Sequence, residues 1–295
     1  MNDDARRSWL PEGFRAAAVI TLDVDGESSV LFDAPESARR LSIMTHQAYG
    51  PRVGVPRMLE ILRRRGVRAT FFVPGFTADR HPDVVRRIVD GGHEVAHHGY
   101  LHESVTALSP EREEQVLSRG IDALERAGAE RPIGWRGPMW EVNDGTPALL
   151  ARHGFRYDSS LMDDDVPYLL RTAAPDDAPT LVEIPVHWGT DDGTQFAWLP
   201  SLWEGDGIAS PSKMLEMWTL ELDAMVAAGG CFVPTIHPCF SGRPSRAAAV
   251  DELLERVRGI DDLWLATAGE VAAHVASRGG PSRYHAPISF ELPDE

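Results

Sequence analysis

Cysteine is scarce in this sequence. Cys231 and Cys239 are its two cysteines in 295 residues, too few for a disulfide framework or for a metal site made of thiolates. Hydrophobic residues make up 43% and charged residues 25% of the chain, an ordinary globular balance. A chain of this length buries a large core without covalent cross-links. We therefore predict a globular protein in which both thiols belong to the core.

Positive charge is also in short supply. The sequence has 29 Lys and Arg residues against 45 Asp and Glu, which gives a formal net charge of −16. Nucleic acids and anionic lipids require a basic surface, so neither is an expected partner. No apolar run reaches the roughly 20 residues that span a bilayer, and the N-terminal segment has no apolar signal region. These absences predict a cytoplasmic protein that does not bind membranes.

Short apolar runs alternate with amphipathic segments, which is typical of repeated βα units. About seven such units favour a closed or partly closed barrel, and an open doubly wound sheet is the alternative. In both folds, functional groups gather at the carboxyl ends of the strands. A long helix is expected to start with Ser109 as N-cap, and Thr267 with Glu270 forms a capping-box pattern. The predicted strands are 17–23, 69–73, 94–98, 133–135, 155–158, 181–186, 231–236 and 263–266, and the other predicted helices are 55–65, 82–89, 147–153, 212–228 and 246–257.

Candidate metal ligands follow two of these strands. Asp23 and Asp25 end the first strand, where residues two apart share a face, and two adjacent carboxylates repel unless a cation lies between them or one is protonated. His98 and His102 are four residues apart, a spacing that places both imidazoles on one side of a helical turn. One carboxylate and two imidazoles would bind Zn²⁺ and leave positions open for water and substrate. A polar loop and a chance histidine pair are the alternatives.

Acid–base groups lie nearby in the predicted fold. Zinc lowers the pKa of bound water toward ~7 and polarises a carbonyl, and a second carboxylate beside it would act as general base. His237 follows the strand 231–236, and an ordinary His pKa near ~6.5 suits the acid that protonates a leaving nitrogen. The guanidinium of Arg136 would hold a carboxylate in position, or else form a surface ion pair. This set predicts a metal-dependent hydrolase of non-peptide carbon–nitrogen bonds.

Taken together, these motifs resemble the polysaccharide deacetylase family, also called the NodB-homology family or carbohydrate esterase family four. The resemblance covers roughly residues 15–275, and the motifs occur in the order found in that family. They are LDVDG at 22–26, ATFFVPG at 69–75, HGYLH at 98–102, RGPMW at 136–140, YDSSL at 157–161 and TIHP at 235–238. The resemblance implies one catalytic domain over 1–295, with terminal arms outside the core, built on a distorted (β/α) barrel of seven to eight strands.

The resemblance also implies a role for each site residue. Asp25, His98 and His102 would bind the divalent metal, usually Zn²⁺, while Asp23 would be the base, Arg136 its orienting partner and His237 the acid. The first motif departs from the family pattern, because Val24 separates two aspartates that are usually adjacent. Glu27 is therefore an alternative base. In the third motif, Met139 stands where an aromatic residue is usual, and Trp140 follows it.

A branch of the family matches more closely, through YGPRVGVPRMLEIL at 49–62, HHGYLHE at 97–103 and PVHWGTDD at 185–192. That branch contains peptidoglycan-deacetylase-like proteins, cyclic imide hydrolases and metal-free allantoinases that lack the second His of the metal pair. The presence of His102 therefore favours a bound metal. The branch implies a homo-oligomer, often a tetramer. Its motifs also suggest that Tyr49, Arg52 and Trp188 contact the substrate, and Trp140 is a further candidate because its ring could stack on a sugar.

Three functions agree with these observations. The first is removal of an acetyl group from an N-acetylated sugar. The second is ring opening of a small cyclic imide or ureide, which needs the same attack of activated water on a carbonyl carbon. The third, of another class, is a non-catalytic binding protein on the same scaffold, which predicts loss of catalytic residues. The sequence contains all of the residues assigned to metal binding or catalysis, namely Asp23, Asp25, His98, His102, Arg136 and His237. Their presence favours an enzyme.

Overall fold

The computed structural model describes residues 8–174, 178–205, 207–279 and 282–288. Much of the predicted terminal arms, at 1–7 and 289–295, therefore lies outside the described residues. Among the helices that are described, none is both long enough and apolar enough to cross a bilayer.

The strands of the described chain form two sheets. A three-stranded sheet has the order β11-β1-β9, and a nine-stranded sheet has the order β10-β2-β3-β4-β5-β6-β8-β7-β12. Of the pairings described, β7 with β8 is the antiparallel one, and the others are parallel. The strands are β1 Ala16–Ala18, β2 Thr21–Asp23, β3 Thr70–Val73, β4 Glu94–His97, β5 Gly134–Trp135, β6 Tyr157–Asp158, β7 Tyr168–Arg171, β8 Thr180–Glu183, β9 Cys231–Phe232, β10 Thr235–Ile236, β11 Leu263–Leu265 and β12 Ser282–Arg283.

The first predicted strand, 17–23, is divided into β1 and β2. Ala18 pairs with Leu265 of β11, whereas Thr21 pairs with Thr70 of β3. The chain thus exchanges one neighbour for another within a single extended run, and the run 231–236 divides into β9 and β10 beside it. The exchange places two parts of one run in different sheets. The predicted α/β fold is confirmed, and the two sheets of the described residues do not close into a complete barrel.

Helices pack against the sheets, and helices and strands both contribute buried apolar side chains to the core. Predicted caps are confirmed, since the Ser109 side chain accepts from the Arg112 amide and Thr267 with Glu270 forms a capping box. Cys231 and Cys239 are buried free thiols, as predicted. The helices are α1 Ser28–Leu31, α2 Leu41–Tyr49, α3 Val55–Arg65, α4 Gly75–Arg80, α5 Pro82–Asp90, α6 Pro110–Ala127, α7 Thr146–Arg152, α8 Gly193–Phe196, α9 Pro211–Ala228, α10 Pro244–Arg258 and α11 Ala268–Arg278.

The register of the sheet brings the strand ends to one edge. Val73 pairs with His97, and His97 pairs with Trp135. Because these strands are parallel, the residues that follow them leave the sheet on the same side. The loops after β2, β4, β5 and β10 carry Asp25, His98, Arg136 and His237, and these loops form the site.

Candidate metal and catalytic site

Asp25 lies in the turn after β2 and is 6% exposed. Gly26, which follows it, has φ +58°, a conformation that glycine adopts without strain. The backbone carbonyl of Asp25 accepts hydrogen bonds from Thr77 Oγ1 at 2.5 Å and from Ser28 Oγ at 2.6 Å. The Thr77 bond fastens the turn to α4 and the Ser28 bond fastens it to α1, and the carboxylate lines the cavity described below.

The loop after β4 brings His98 and His102 together. The prediction placed this pair on a helical turn, and that prediction is wrong: both residues lie in an irregular loop, and His102 has φ +58°. The imidazole rings still meet, with centroids 5.0 Å apart. The two histidines, four residues apart, therefore meet across a tight loop. The left-handed conformation of His102 turns its ring back toward His98.

The three predicted metal ligands converge. His98 Nε2 lies 3.6 Å from Asp25 Oδ1, and His102 Nε2 lies 3.8 Å from Asp25 Oδ2. Candidate ligand atoms of all three residues fall within 4.8 Å of one another. These separations are too long for hydrogen bonds, and Asp25 Oδ1 is buried with no hydrogen-bond partner among the described residues. A buried carboxylate oxygen without a donor is costly, so this donor set fits a divalent cation.

The protonation of His98 also suits metal binding. Its Nδ1 atom bonds to the carbonyl oxygen of Arg136 at 2.8 Å. Because a carbonyl only accepts, Nδ1 carries the proton and the lone pair of Nε2 is available. Burial lowers the pKa of His98 to about 4, so the ring is neutral near pH 7. A neutral imidazole with a fixed tautomer is the form that ligates metals.

Asp23 is held by Arg136. The guanidinium is fully buried, and its Nη1 atom donates to Asp23 Oδ1 at 2.8 Å. Its Nε and Nη2 atoms donate to the carbonyl and hydroxyl oxygens of Ser159, both at 3.0 Å, and it stacks on the Phe72 ring at 4.0 Å. Arg136 thus holds a carboxylate in position, and this ion pair is buried rather than at the surface. The second carboxylate oxygen, Asp23 Oδ2, is 3.8 Å from His98 Nε2.

His237 forms a pair with a residue that the sequence analysis missed. Its Nδ1 atom donates to Asp192 Oδ1 at 2.7 Å, and its backbone amide donates to the same carboxylate at 3.0 Å. Nε2 is left facing Asp25 Oδ2 at 3.7 Å. Burial alone would lower the pKa of His237, but the charges of Asp191 and Asp192 outweigh it and raise that pKa well above its usual value.

Asp191 is the other missed residue. It is 8% exposed, lies 3.4 Å from His237 Nδ1, and has its pKa raised to about 7, mainly by burial. The segment PVHWGTDD already carried a family resemblance, but it gave no reason to assign its aspartates a role. The decisive contact is an isolated bridge of Asp191 to Thr235, which sets Asp192 beside His237. No periodicity in the sequence indicates such a bridge.

A cavity of about 260 Å³ opens above these groups. Its lining includes Asp23, Asp25, His98, His102 and His237, together with aromatic side chains of Trp140, Trp188, Trp203 and Phe240. The Trp140 and Trp188 rings are 4.5 Å apart and inclined at 37°. The two tryptophans predicted to contact substrate therefore line one wall of the cavity.

Two other predicted substrate contacts lie elsewhere. Tyr49 and Arg52 are not among the residues that line this cavity: Arg52 is exposed, and the Tyr49 hydroxyl bonds to Arg57 at 2.7 Å. Glu27, the alternative base, is also outside the lining, and its carboxylate bonds to Arg80 at 2.7 Å and His81 at 2.9 Å. These contacts lower the pKa of Glu27 to about 2 against the opposing effect of burial.

Comparison with known proteins connects this site to a family. The peptidoglycan deacetylase of Helicobacter pylori is 31% identical over 242 residues, which is 75% of this chain and 83% of that protein. The peptidoglycan deacetylase-like protein FGM2 of Gibberella zeae is 31% identical over 276 residues, which is 83% of this chain and 82% of that protein. This chain belongs to the polysaccharide deacetylase family. The family profile described as polysaccharide deacetylase matches residues 42–157, a segment that holds His98, His102 and Arg136.

A solved structure extends the likeness to nearly the whole chain. A crystal structure of a Mycobacterium smegmatis protein attributed to the same family is 47% identical, with a TM-score of 0.92, and covers 95% of this chain and 97% of that one. The relatives include deacetylases, which are hydrolases that act on carbon–nitrogen bonds other than peptide bonds. The predicted family and enzyme class are confirmed.

Proposed function

We propose that this deacetylase-family chain is a metal-dependent hydrolase that removes acetyl groups from an N-acetylated amino sugar. The observation that carries the proposal is the Asp25 oxygen that has no hydrogen donor among the described residues and faces His98 Nε2 at 3.6 Å. Asp25, His98 and His102 would hold the cation, and Zn²⁺ is the first candidate because carboxylate and imidazole ligands suit it. Other divalent metals accept the same ligands.

Each catalytic side chain has a separate task in this proposal. When bound, the cation supplies a Lewis acid that polarises the scissile carbonyl. Asp23, held at 2.8 Å by Arg136, accepts a proton from the water whose oxygen forms the new bond to the carbonyl carbon. As the carbon–nitrogen bond breaks, Nε2 of His237 gives its proton to the leaving nitrogen. The products are acetate and a free amine.

Asp192 serves His237 in two ways. Its carboxylate accepts a hydrogen bond from Nδ1 at 2.7 Å and so orients Nε2 toward the cavity. The same negative charge, with that of Asp191, keeps His237 protonated and ready to act as an acid, because it favours the imidazolium form. The arrangement resembles the way in which a buried carboxylate orients a catalytic histidine in hydrolases generally.

The substrate proposal rests on the relatives and on the cavity wall. Two relatives are named as a peptidoglycan deacetylase and a peptidoglycan deacetylase-like protein, and peptidoglycan contains N-acetylated sugars. Trp140 and Trp188 offer flat apolar surfaces beside the reacting groups, and such surfaces stack on sugar rings. Tyr49 and Arg52 stay predicted substrate contacts. A cytoplasmic location and assembly as a homo-oligomer, a tetramer by resemblance, also stay predictions.

A second function is favoured by the size of the cavity. Its volume of about 260 Å³ lies just below the range of roughly 300–1,000 Å³ for small-molecule sites, and it would suit a compact ring better than several sugar units. Ring opening of a cyclic imide or ureide uses the same groups, because water again attacks a carbonyl carbon bonded to nitrogen. In that reaction the nitrogen protonated by His237 stays attached to the product.

Product analysis distinguishes the two functions. The full chain supplied with Zn²⁺ is incubated with N-acetylglucosamine oligomers, succinimide and allantoin, and the products are identified by mass spectrometry. Loss of acetyl from the oligomers is the expected result. Gain of one water by a cyclic substrate, with the oligomers unchanged, would replace the deacetylase proposal with ring opening. His237→Ala is the matched control that should fail in either reaction.

A further inference from the structure

The loop that carries both histidines is tightly constrained. Between His98 and His102, Gly99 has φ +71°, and His102 itself has φ +58°, which is unfavourable for a residue with a side chain. The carbonyls of Gly99 and Tyr100 accept from the amides of Gly75 and Phe76 at 3.0 and 2.7 Å. A loop of this shape needs partners for its own amides as well.

Glu103 supplies two of those partners. This side chain is 5% exposed, and its Oε2 atom accepts from the Tyr100 amide at 2.9 Å and the Leu101 amide at 2.8 Å. The carboxylate follows His102 directly and reaches back over the loop, so a single oxygen ties together the residues between the two histidines. A Cβ atom at Gly99 would lie 3.2 Å from the same oxygen, which shows how closely the loop wraps it.

We propose that Glu103 is a positioning residue for the metal site. Its carboxylate stabilises the loop in the shape that points the Nε2 atoms of His98 and His102 at Asp25. This inference rests on the proposed metal site and assigns a role to a residue outside the ligand set and outside the cavity lining. Residues that orient metal ligands typically change metal affinity by 10- to 100-fold when they are removed.

Glu113 provides a matched control. It is also a buried glutamate, 8% exposed, and it lines the same small void as Glu103. Its carboxylate accepts from Thr146 Oγ1 at 2.5 Å and from Asn143 Nδ2 at 3.3 Å, and neither residue belongs to the loop of the histidines. Glu113→Ala therefore reproduces the loss of a buried carboxylate without releasing the loop.

The test measures Co²⁺ affinity of the full chain by chelator competition, read from the visible absorption of the bound ion. Glu103→Ala should weaken binding by about 10- to 100-fold and alter the absorption spectrum, while Glu113→Ala should stay within about twofold of the unmodified chain. The Co²⁺ affinity of Glu103→Gln should lie between those of the two alanine variants. Its amide oxygen still accepts both hydrogen bonds, but it carries no charge. Hydrogen exchange at the Tyr100 and Leu101 amides should accelerate in Glu103→Ala and not in Glu113→Ala.

Each contrary outcome has a separate meaning. If the unmodified chain binds no Co²⁺, the metal site is wrong and the role of Glu103 falls with it. If the unmodified chain binds Co²⁺ and Glu103→Ala binds it equally well, only the role of Glu103 is wrong. Faster exchange without loss of affinity would reduce Glu103 to a structural residue. Equal losses in Glu103→Ala and Glu113→Ala would also overturn the proposal.

Discussion

Two clusters at the same edge of the sheet contain similar side chains but differ in the hydrogen bonds that these side chains form with one another. Asp25, His98 and His102 form one cluster, and Asp191, Asp192 and His237 form the other. In the first, the nearest nitrogen–oxygen separations of the three ligands are 3.6 and 3.8 Å. In the second, the histidine donates to Asp192 at 2.7 Å. The first cluster has a gap at its centre, and the second is closed by its own hydrogen bonds.

This difference separates the two kinds of chemistry. A gap lined by a carboxylate oxygen without a donor and by the neutral imidazole of His98 suits a cation. A short bond between a carboxylate and a histidine fixes the ring and stabilises its protonated form, as proton transfer requires. We therefore propose metal binding for the first cluster and acid catalysis for the second. The two proposals differ because of geometry, since the side chains are similar.

Removal of Asp25 should have the largest effect on metal content and turnover. Asp25→Ala takes the carboxylate from the open cluster, so we expect the chain to lose its metal and its activity to fall by about 10³-fold or more, since metal activation contributes several kcal/mol. His98→Ala should behave alike. Metal content by elemental analysis and turnover are the measurements. A variant that retains a full complement of metal would show that the ligand assignment is wrong.

Removal of His237 should affect turnover without affecting metal binding, and so distinguish the roles of the two clusters. His237→Ala should keep the metal and slow turnover by about 10²–10⁴, the range for a lost general acid. Circular dichroism checks that the variant folds. Turnover near that of the unmodified chain would remove His237 from the mechanism, and loss of metal would mean that the closed cluster takes part in ligation.

A smaller effect is expected when the closed cluster is weakened but not removed. Asp192→Asn should retain the metal and lower turnover by about 10- to 10²-fold, part of the general-acid contribution. Because the Asp191 and Asp192 carboxylates raise the pKa of His237 against the effect of burial, loss of one charge should lower that pKa. The acid would then lose its proton at a lower pH, so the alkaline limb of the kcat profile should move to lower pH. An unmoved limb would contradict the role of Asp192.

The smallest effect is expected on the cavity wall that lies over both clusters. Trp188→Ala should raise KM about 10-fold with the metal content unchanged, which corresponds to about 1.4 kcal/mol of lost aromatic contact. Trp198→Ala is the matched control, because Trp198 is an exposed tryptophan outside the cavity lining, and its KM should stay within about twofold of the original. An equal rise in both variants would contradict the role of Trp188 in the cavity wall.

The open cluster was more accessible to sequence reasoning than the closed one. His98 and His102 have a spacing that suggests ligands, and the family resemblance singled out Asp25 as the carboxylate that joins them. Their placement on a helical turn was wrong. His102 has a left-handed conformation, and the residues before it bond to Glu103 and to α4, contacts that no local pattern encodes. Asp192 was missed altogether. It lies 45 residues before His237, and the two meet through a bridge too short to leave a periodic signal.

The fold shows the same limit. Helix boundaries followed from caps and from the 3.6-residue period, as in α6 with its Ser109 cap. Strands were found where apolar runs are continuous, but the division of 17–23 into β1 and β2 was not. That division reflects a change of neighbour from β11 to β3, which is a property of the assembled sheet. The strand β7, Tyr168–Arg171, was also missed, because its burial alternates between buried and half-buried residues.

The most direct test is an anomalous diffraction map at the zinc absorption edge, from crystals of the full chain grown with Zn²⁺. We predict one strong peak between Asp25, His98 and His102, at about 2.0–2.2 Å from their ligand atoms, and none between Asp191, Asp192 and His237. A peak in the second cluster, or no peak at the first, would contradict the division of labour between the two.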